Sequence, residues 1–479
     1  MRFDVATKIF LEEEAGGNKI AFVAADKELS WTGLKTLSDK ICETLEKVKV
    51  PQGHPVLVYG DKEAFFLAAI FSCYRKNLPF VPLSPDLPPK RIENIIEQSK
   101  SSVILICGDY ENAPELPVVI RNDFIVVGSA STLNKIADGI AYIIFTSGSS
   151  GEPKGVLISN ENITTFIKWF TANFQVNEKT IFINQASFLF DISLADFFGA
   201  LQTGGTAIFN TSQIISDNLF FSRINKYKGS YWNSTPSFVS MFLADKNFNA
   251  QNLSSVNQFV LSGENLPVTL VKELRSRFPE ARIVNAYGPT ETTIFASYTE
   301  ITNEMLNENT LPVSKFPAEN ILLENGEIII AGKQVGKGYL HTLQLSNEKF
   351  NTGDLAVLKN NYLYYAGRMD EQIKFNGYRI ELNEIKITLE KFDFIACAEC
   401  LPLEIGGKIK RLLAFAIFKD VEKISTLKEK LSQLLPAYMI PSEIIVVKEF
   451  PLSSNFKVDK KKLLNDYLTR QKDNLRGLL

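Results

Sequence analysis

Residues 142–155, YIIFTSGSSGEPKG, decide the fold of this chain. The first four are apolar and predict a buried strand, which is followed by a loop of Thr, Ser and Gly that carries Lys154. Glycine lets the backbone approach a ligand closely, so successive N–H groups form a nest for phosphate oxygens, and the lysine adds a mobile positive charge. The stretch therefore predicts a polyphosphate site; the alternative is an ordinary surface turn rich in Gly and Ser.

The loop differs from the Walker A loop, Gly-x4-Gly-Lys-Ser/Thr. Here Gly155 follows Lys154, so the hydroxyl that usually binds Mg²⁺ is missing at that position. A different way of holding the phosphates and their metal is expected.

Strand-like and helix-like segments alternate around this loop. Residues 55–59 and 102–106 are apolar and β-branched, as in buried strands, while residues 64–75 and 89–100 have helical character. This alternation predicts an α/β fold, with parallel sheets flanked by helices in a large N-terminal domain. The segment 332–365 is rich in Gly, Asn and Tyr and predicts β-hairpins, hence a β-rich subdomain.

The pattern changes after Asp370. A chain of 479 residues is too long for one compact core. The last hundred or so residues read as a small α+β domain with a charged helix around 425–434. We predict an N-terminal domain over 1–368 and a C-terminal domain over 369–479, joined by a tight hinge at Asp370, since no low-complexity linker separates them.

The composition is that of a globular protein, with 45% hydrophobic and 22% charged residues. The net charge of −2 does not favour nucleic acid or an anionic membrane surface as a partner. The N-terminus lacks a signal-peptide pattern, and no segment approaches the roughly 20 apolar residues of a membrane span. Five scattered cysteines are typical of a reducing compartment, so we expect a cytoplasmic protein without membrane insertion.

Metal and hydrolase sites built on Cys or His are disfavoured. Cys397 and Cys400 form a single CxxC in a strand-like segment, without a second pair at zinc-site spacing. The chain has two histidines, His54 and His341, which leaves little for a Ser-His-Asp triad or a His-rich metal site. The two cysteines are expected to be buried structural residues, and the two histidines to be structural or at the surface.

Further motifs follow one another along the chain. They are the loop at 146–155, LPFVPLSP at 78–85, FDIS at 190–193, NAYGPTE at 285–291, NTGD at 351–354, GRMDEQIK at 367–374 and PLSSNFKVD at 451–459. Each alone is weak, but together they resemble the motifs of adenylate-forming (AMP-binding) enzymes, which include acyl-CoA ligases, luciferases and peptide-synthetase adenylation domains. The resemblance covers nearly the whole chain and implies the fold of that superfamily.

The resemblance implies that ATP contacts the phosphate loop, the adenine segment and the ribose motif. The residues so implied are Thr146, Ser147, Gly148, Ser149, Ser150, Gly151, Lys154, Asn285, Ala286, Tyr287, Gly288, Asp354 and Arg368. Tyr287 offers a flat face to adenine, Asp354 accepts hydrogen bonds from the ribose hydroxyls, and Arg368 lies near the ribose and the hinge. The alternatives are an ordinary turn aspartate at 354 and a plain β-turn at 287–290.

Activation of a carboxylate by ATP is an in-line displacement at the α-phosphate that releases pyrophosphate. The substrate carboxylate is already ionised at pH 7, so the enzyme must supply positioning and positive charge and needs no general base. The resemblance assigns Thr290 to the α-phosphate, Glu291 to Mg²⁺ and Lys457 to the substrate carboxylate and α-phosphate. Lys457 lies near Lys460, Lys461 and Lys462, so the alternative is a solvated lysine cluster.

Asp191 indicates the class of substrate. In amino-acid-activating members of the superfamily an aspartate at this motif pairs with the substrate's α-ammonium group, and a carboxylate in a pocket is costly unless a cation meets it. Ser262 and Gly263 are placed beside the substrate in the same way. The alternative is that Asp191 caps a helix that starts at Ser193.

The most similar subfamily is that of the D-alanine:D-alanyl-carrier protein ligases. The segments that carry this likeness are FDISLAD at 190–196, NSTPSFV at 233–239, SGENLPV at 262–268, EITN at 300–303 and LPAYMIP at 435–441. The likeness implies ATP and Mg²⁺ as cofactors and transfer of the activated amino acid to the phosphopantetheine thiol of a separate carrier protein. Rotation about Asp370 would open a path for the thiol.

Four departures keep alternatives open. Ser262 replaces a Cys beside the substrate methyl, Phe456 replaces the Gly before Lys457, Asn351 replaces a basic residue, and the segment 320–327 is short. One alternative is an adenylation enzyme for another small amino acid in peptide-type biosynthesis. A second is an acyl-CoA ligase, against which Asp191 argues. A third is a catalytically weak nucleotide-binding or scaffolding relative.

Overall fold

The computed structural model describes residues 19–128, 139–148, 151–341, 348–405, 408–420, 424–451 and 458–476, with side chains of the last helix as far as Gln471. The described residues form two compact units. The first takes those within Met1–Asp86, Ile95–Thr146 and Lys154–Asp370. The second takes those within Leu87–Asn94, Ser147–Pro153 and Glu371–Leu479, so it combines the C-terminal part with two short segments from earlier in the chain.

The described strands up to residue 370 are numbered in chain order. They are β1 Ile20–Val23, β2 Glu28–Ser30, β3 Val56–Tyr59, β4 Phe80–Leu83, β5 Val103–Ile106, β6 Val118–Arg121, β7 Val126–Val127, β8 Ile140–Thr146, β9 Lys154–Ser159, β10 Ile181–Asn184, β11 Thr206–Phe209, β12 Tyr231–Ser234, β13 Gln258–Leu261, β14 Arg282–Tyr287, β15 Ser297–Glu300, β16 Ser314–Lys315, β17 Ile321–Glu324, β18 Glu327–Ala331, β19 Lys349–Lys359 and β20 Tyr362–Arg368.

The α-helices of the same stretch alternate with these strands. They are α1 Trp31–Lys47, α2 Ala64–Arg75, α3 Pro89–Ser99, α4 Asn160–Asn173, α5 Ile192–Thr203, α6 Ser212–Ser216, α7 Phe220–Tyr227, α8 Pro236–Phe242 and α9 Val268–Arg277. The helix predicted over 64–75 has those bounds, and the one predicted over 89–100 ends one residue earlier.

Two large sheets organise the first unit. In the described residues one has eight strands in the order β15-β14-β13-β12-β10-β11-β1-β2, and the other has seven in the order β7-β6-β5-β3-β4-β8-β9. The inner neighbours pair in parallel, whereas the edge strands β2, β7, β9 and β15 pair antiparallel. Apolar strands buried on both faces are typical of such sheets, so the predicted α/β architecture is confirmed.

The helices cover these sheets with apolar faces. On α4 the buried residues Ile163, Phe166, Ile167 and Phe170 recur every three or four positions and belong to the same core cluster as strand residues such as Tyr142. The helix begins after Ser159, whose side chain and that of Asn162 satisfy each other's backbone N–H groups in a capping box. The sequence thus fixes both where this helix starts and which face is buried.

A third sheet completes the first unit. Five described strands, in the order β16-β20-β19-β18-β17, pair antiparallel throughout. The long hairpin of β19 and β20 lies in the segment predicted to form hairpins, so the β-rich subdomain is confirmed. Asp354 and Arg368 face each other as partners across this hairpin, which brings the predicted ribose motif beside the end of the first unit.

The second unit is a small α+β body, as predicted. Its described elements after residue 370 are β21 Gln372–Phe375, β22 Tyr378–Glu381, β23 Ile395–Ile405, β24 Lys408–Phe418, β25 Glu443–Val446, α10 Leu382–Glu390, α11 Ile424–Ser432 and α12 Lys460–Arg476. The charged helix expected around 425–434 is α11. Cys400 is buried and Cys397 half-buried in β23, in agreement with a structural role.

None of the helices in the described ranges combines the length and the apolar character needed to cross a bilayer. The described side chains also contain no cluster of three or more His, Cys, Asp or Glu residues able to hold a metal ion by themselves.

Candidate active site

Antiparallel pairing holds the two ends of the phosphate loop together. Thr146, the last residue of β8, is the partner of Lys154, the first residue of β9. Both side chains are half-buried, and Lys154 is thereby fixed at its backbone where the loop closes. Ser149 and Ser150, two of the predicted phosphate-binding residues, lie outside the described residues.

Within the second unit the loop already binds an anion. The backbone N–H of Gly148 donates to Oε2 of Glu384 at 3.1 Å, and the hydroxyl of Ser147 donates to the carbonyl of Arg379 at 2.9 Å. Arg91 pairs with the other oxygen of Glu384, and both side chains are buried. A loop N–H that donates to a carboxylate is able to bind an anion, and a phosphate that uses this N–H must displace Glu384.

Glu384 was not predicted from the sequence. It lies in the first turn of α10, where a carboxylate is favoured by the helix dipole, so on sequence alone it reads as an ordinary helix residue. Its contact with the loop joins residues more than two hundred positions apart. Gly151 also lies in the second unit, against Ile387 of the same helix.

Three of the predicted adenosine residues form one hydrogen-bonded group in the first unit. The Tyr287 hydroxyl donates to Oδ2 of Asp354 at 2.7 Å, and Nη1 of Arg368 donates to Oδ1 at 2.6 Å. Arg368 also makes a two-pronged contact with Asp370, at 2.6 and 2.7 Å. The structure thus brings Tyr287, Asp354, Arg368 and Asp370 together, so the predicted ribose acceptor is linked through one arginine to the predicted hinge.

Asp354 can still receive a ribose hydroxyl, because an ionised carboxylate offers about four lone-pair sites. Burial, together with the neighbouring Asp354, raises the pKa of Tyr287 well above its usual range, so the phenol stays protonated and remains a donor. The carboxylate is therefore oriented on both oxygens before any nucleotide arrives.

The other residues of the adenine segment lie at the end of β14. Asn285 is buried and its amide donates to the carbonyl of Pro312 at 2.9 Å, while Ala286 belongs to the apolar core. Gly288 is required by packing, since a Cβ there would lie 2.7 Å from the backbone nitrogen of Ala296. After it, Thr290–Thr292 form a single 3-10 turn that carries Glu291.

Asp191 faces that turn. Its carboxylate accepts the backbone N–H of Ile294 at 3.2 Å and the hydroxyl of Thr290. Burial raises its pKa to about 6, and the negative charge of Glu291 adds to the rise. The helix α5 begins at Ile192 with Asp191 at the N-cap position, but the Asp191 side chain makes no capping hydrogen bond to it. The capping role considered for Asp191 is therefore not what the described contacts show.

Ser262 and Gly263 follow β13. Ser262 is buried, its N–H donates to the carbonyl of Ser234 at 3.1 Å, and Gly263 has a φ of 84°. The strand order places β13 between β12 and β14, so Ser262 follows a strand next to the one that leads into Thr290 and Glu291. Lys457, the predicted catalytic lysine, and Phe456 lie outside the described residues.

Tyr339 is a second residue that the sequence reasoning missed. Its hydroxyl donates to Oε1 of Glu291 at 2.8 Å, and the Lys154 ammonium lies 5.9 Å from the centre of its ring. The available signal was the pattern Gly336-Lys337-Gly338-Tyr339, in which glycines allow an aromatic residue to approach other backbone closely. The predicted phosphate lysine and the predicted metal ligand thus meet at one tyrosine.

Chemically, this part of the first unit combines a phosphate-loop lysine, a buried carboxylate able to bind a hard cation, and a second buried carboxylate 100 residues earlier whose charge is unfavourable by itself. Such a set suits a phosphorylated anion with its cation on one side and a positively charged group on the other.

Comparisons with known proteins show which family the chain is similar to. A family profile described as AMP-binding enzyme matches residues 11–340. The D-alanine--D-alanyl carrier protein ligase of Bacillus licheniformis is 34% identical over 93% of this chain and 95% of its own length. That of Bacillus velezensis is 34% identical over 94% and 96%. The Vibrio cholerae adenylation domain AlmE, solved with glycyl-adenosine-5'-phosphate, has the same fold, with a TM-score of 0.83 at 18% identity over 98% of each chain.

Proposed function

Because the chain belongs to the AMP-binding enzyme family, we propose that this ATP-dependent ligase activates a small amino acid, with D-alanine as the first candidate. The product is an aminoacyl adenylate, and pyrophosphate leaves. The amino acid then passes to the phosphopantetheine thiol of a separate carrier protein, as the names of the relatives suggest.

Asp191 is the observation that carries this proposal. Its carboxylate is buried, its pKa is raised to about 6, and the charged neighbour that contributes to the rise is another carboxylate, Glu291. Burial of such a charge becomes favourable when a cation meets it. The α-ammonium of an amino acid is such a cation, and Thr290, which donates to Asp191, is the residue assigned to the α-phosphate. The ammonium group and the phosphate of an aminoacyl adenylate would thus lie at residues in contact with each other.

The residues present are compatible with ATP and Mg²⁺. Glu291 supplies a hard oxygen donor whose orientation is fixed by Tyr339, and Lys154 lies on the same tyrosine. One carboxylate together with substrate phosphates is a usual ligand set for this ion, which would neutralise charge on the leaving pyrophosphate. Lys154 and the loop N–H groups then hold the outer phosphates, and Asp354 holds the ribose.

Lys457 and the domain division complete the proposal. We assign the adenylation core to 1–368 and a mobile lid to 369–479, with Asp370 as the hinge and Lys457 contacting the substrate carboxylate and α-phosphate. Lys457→Ala should abolish adenylate formation and leave ATP binding measurable by calorimetry. Undiminished adenylation by that variant would remove Lys457 from this role.

A second amino acid remains a specific alternative because of Ser262. A buried hydroxyl in place of a thiol is smaller and more polar, which favours a substrate with a different side chain or chirality. Ser262→Cys separates the two cases. If D-alanine is the substrate, the variant should keep or improve kcat/KM for D-alanine; if Ser262 selects another amino acid, the variant should lose activity with that one.

The test of the proposal is amino-acid-dependent ATP–pyrophosphate exchange across D- and L-amino acids, with simple carboxylic acids as controls. Exchange with D-alanine above all others supports the ligase proposed. Exchange with another amino acid keeps the reaction type and changes the substrate. Exchange with carboxylic acids but with no amino acid would contradict the amino-acid assignment, and no exchange at all would favour a nucleotide-binding relative without this activity.

A further inference from the structure

The segment 336–340 is bound at its backbone to two parts of the proposed nucleotide site. The N–H of Gly336 donates to the carbonyl of Glu291 at 2.8 Å, and that of Leu340 donates to the carbonyl of Gly155 at 2.8 Å. Tyr339 forms an isolated antiparallel bridge with Val156. The segment therefore runs antiparallel to β9, toward the phosphate loop, and also touches the turn that carries Glu291.

This placement depends on a glycine. A Cβ at Gly336 would lie 3.0 Å from the carbonyl of Leu157 and 3.1 Å from that of Glu291. Side chains larger than hydrogen would separate the segment from one of its two supports. The backbone thus fixes Tyr339 between the residue after the phosphate loop and the turn at 290–292.

The Tyr339 side chain makes two contacts from this position, one through its hydroxyl and one through its ring. The hydroxyl donates to Oε1 of Glu291 at 2.8 Å, a hydrogen bond to an ionised acceptor, which is stronger than a neutral one. The face of the ring lies 5.9 Å from the Lys154 ammonium, within the range of a cation–π contact. All three residues belong to the first unit.

We propose that Tyr339 is a positioning residue that sets the orientation of the Mg²⁺ ligand Glu291 and of the phosphate lysine Lys154 relative to each other. The proposal rests on the proposed function, in which those two residues bind the metal and the leaving phosphates. The hydroxyl orients Glu291, and the ring orients Lys154. The two contributions can therefore be separated by substitution.

The test is calorimetric titration of ATP, first with EDTA and then over a series of Mg²⁺ concentrations, on the full-length protein. Tyr339→Phe keeps the ring, so ATP affinity in EDTA should stay within about twofold of wild type, whereas the Mg²⁺ concentration for half-maximal tightening should rise about tenfold or more, as for other residues that orient a metal ligand. Tyr339→Leu removes the ring too, so ATP affinity in EDTA should also fall several-fold.

Tyr298→Phe is the matched control, since it removes a tyrosine hydroxyl that donates to Asn173 at 3.1 Å in the same unit. Tyr298→Phe should change neither the ATP affinity in EDTA nor the Mg²⁺ concentration for half-maximal tightening. An unchanged Mg²⁺ dependence in Tyr339→Phe overturns the proposal, and so does an equal loss of affinity with and without Mg²⁺ accompanied by a lowered Tm. Because binding is read without any amino acid, Mg²⁺-dependent ATP binding by a wild-type protein that activates no amino acid would reject the proposed function and leave this inference standing.

Discussion

At the residue scale, the candidate site contains two buried carboxylates for which we propose different tasks. Glu291 accepts a hydrogen bond from Tyr339 and is proposed to bind the metal, whereas Asp191 accepts hydrogen bonds from Thr290 and Ile294 and is proposed to bind the substrate ammonium. The motif resemblance had pointed to both carboxylates. It did not predict Tyr339 or the contact between Thr290 and Asp191, because these pairs are brought together by tertiary packing and no local spacing marks them.

The raised pKa of Asp191 predicts a pH dependence. Its pKa in the folded protein is about 6, above the ordinary value of 3.8, so the group takes up a proton as the pH falls through 6. An ammonium group binds the ionised form only. The KM for the amino acid should therefore rise about tenfold for each pH unit below 6, while the KM for ATP should follow a different and shallower profile. Exchange kinetics between pH 5 and 8 measure this, and in Asp191→Asn the rise in the amino-acid KM below pH 6 should disappear.

At the element scale, the helices and strands that frame the site follow from local pattern. The bounds of α2 were predicted without error, and those of α3 within one residue, because the helix preference of residue types acts over a few neighbouring positions. The pairing of β9 with the bridge residue Tyr339 could not be predicted in this way, since it joins positions far apart in the chain. Local sequence patterns therefore predict the helices and strands but not the long-range contacts between them.

The packing of α4 predicts a large effect on stability. Phe170 is fully buried and stacks on Phe166 and Phe174, so Phe170→Ala should lower the free energy of unfolding of the first unit by about 3–5 kcal/mol. Lys168 is exposed on the same helix, and Lys168→Ala should change the free energy of unfolding by less than about 0.5 kcal/mol. Urea unfolding followed by circular dichroism compares the two variants. Equal effects would show that α4 does not pack as described.

At the scale of the whole molecule, the fold class was confirmed but the membership of the two units was not foreseen. Residues 87–94 and 147–153 group with the C-terminal part, which no composition change along the chain indicates. Within the second unit Arg91 and Glu384 form a buried ion pair between positions 293 residues apart. Sequence patterns depend on residues that are close together in the chain, so this long-range ion pair could not be predicted from them.

This ion pair predicts a non-additive effect of mutation. Glu384→Gln leaves the Arg91 charge buried without its full counter-charge, so the second unit should lose about 3–5 kcal/mol of stability. Arg91→Met combined with Glu384→Leu removes both charges and should recover most of that loss. Thermal and urea unfolding of the two variants against wild type measure the difference. A double variant as unstable as Glu384→Gln would show that the loss of stability does not come from the unpaired Arg91 charge.

The central claim, that Asp191 selects an amino acid by its ammonium group, is tested most directly with two substrates that differ in that group. The measurement is the ratio of kcat/KM for D-alanine to that for propionate in ATP–pyrophosphate exchange, in wild type and in Asp191→Asn. We predict a strong preference for D-alanine in wild type and a fall of about 100-fold or more in that ratio in the variant, the size expected for loss of a buried ion-pair partner. A ratio that is the same in both proteins would contradict the account.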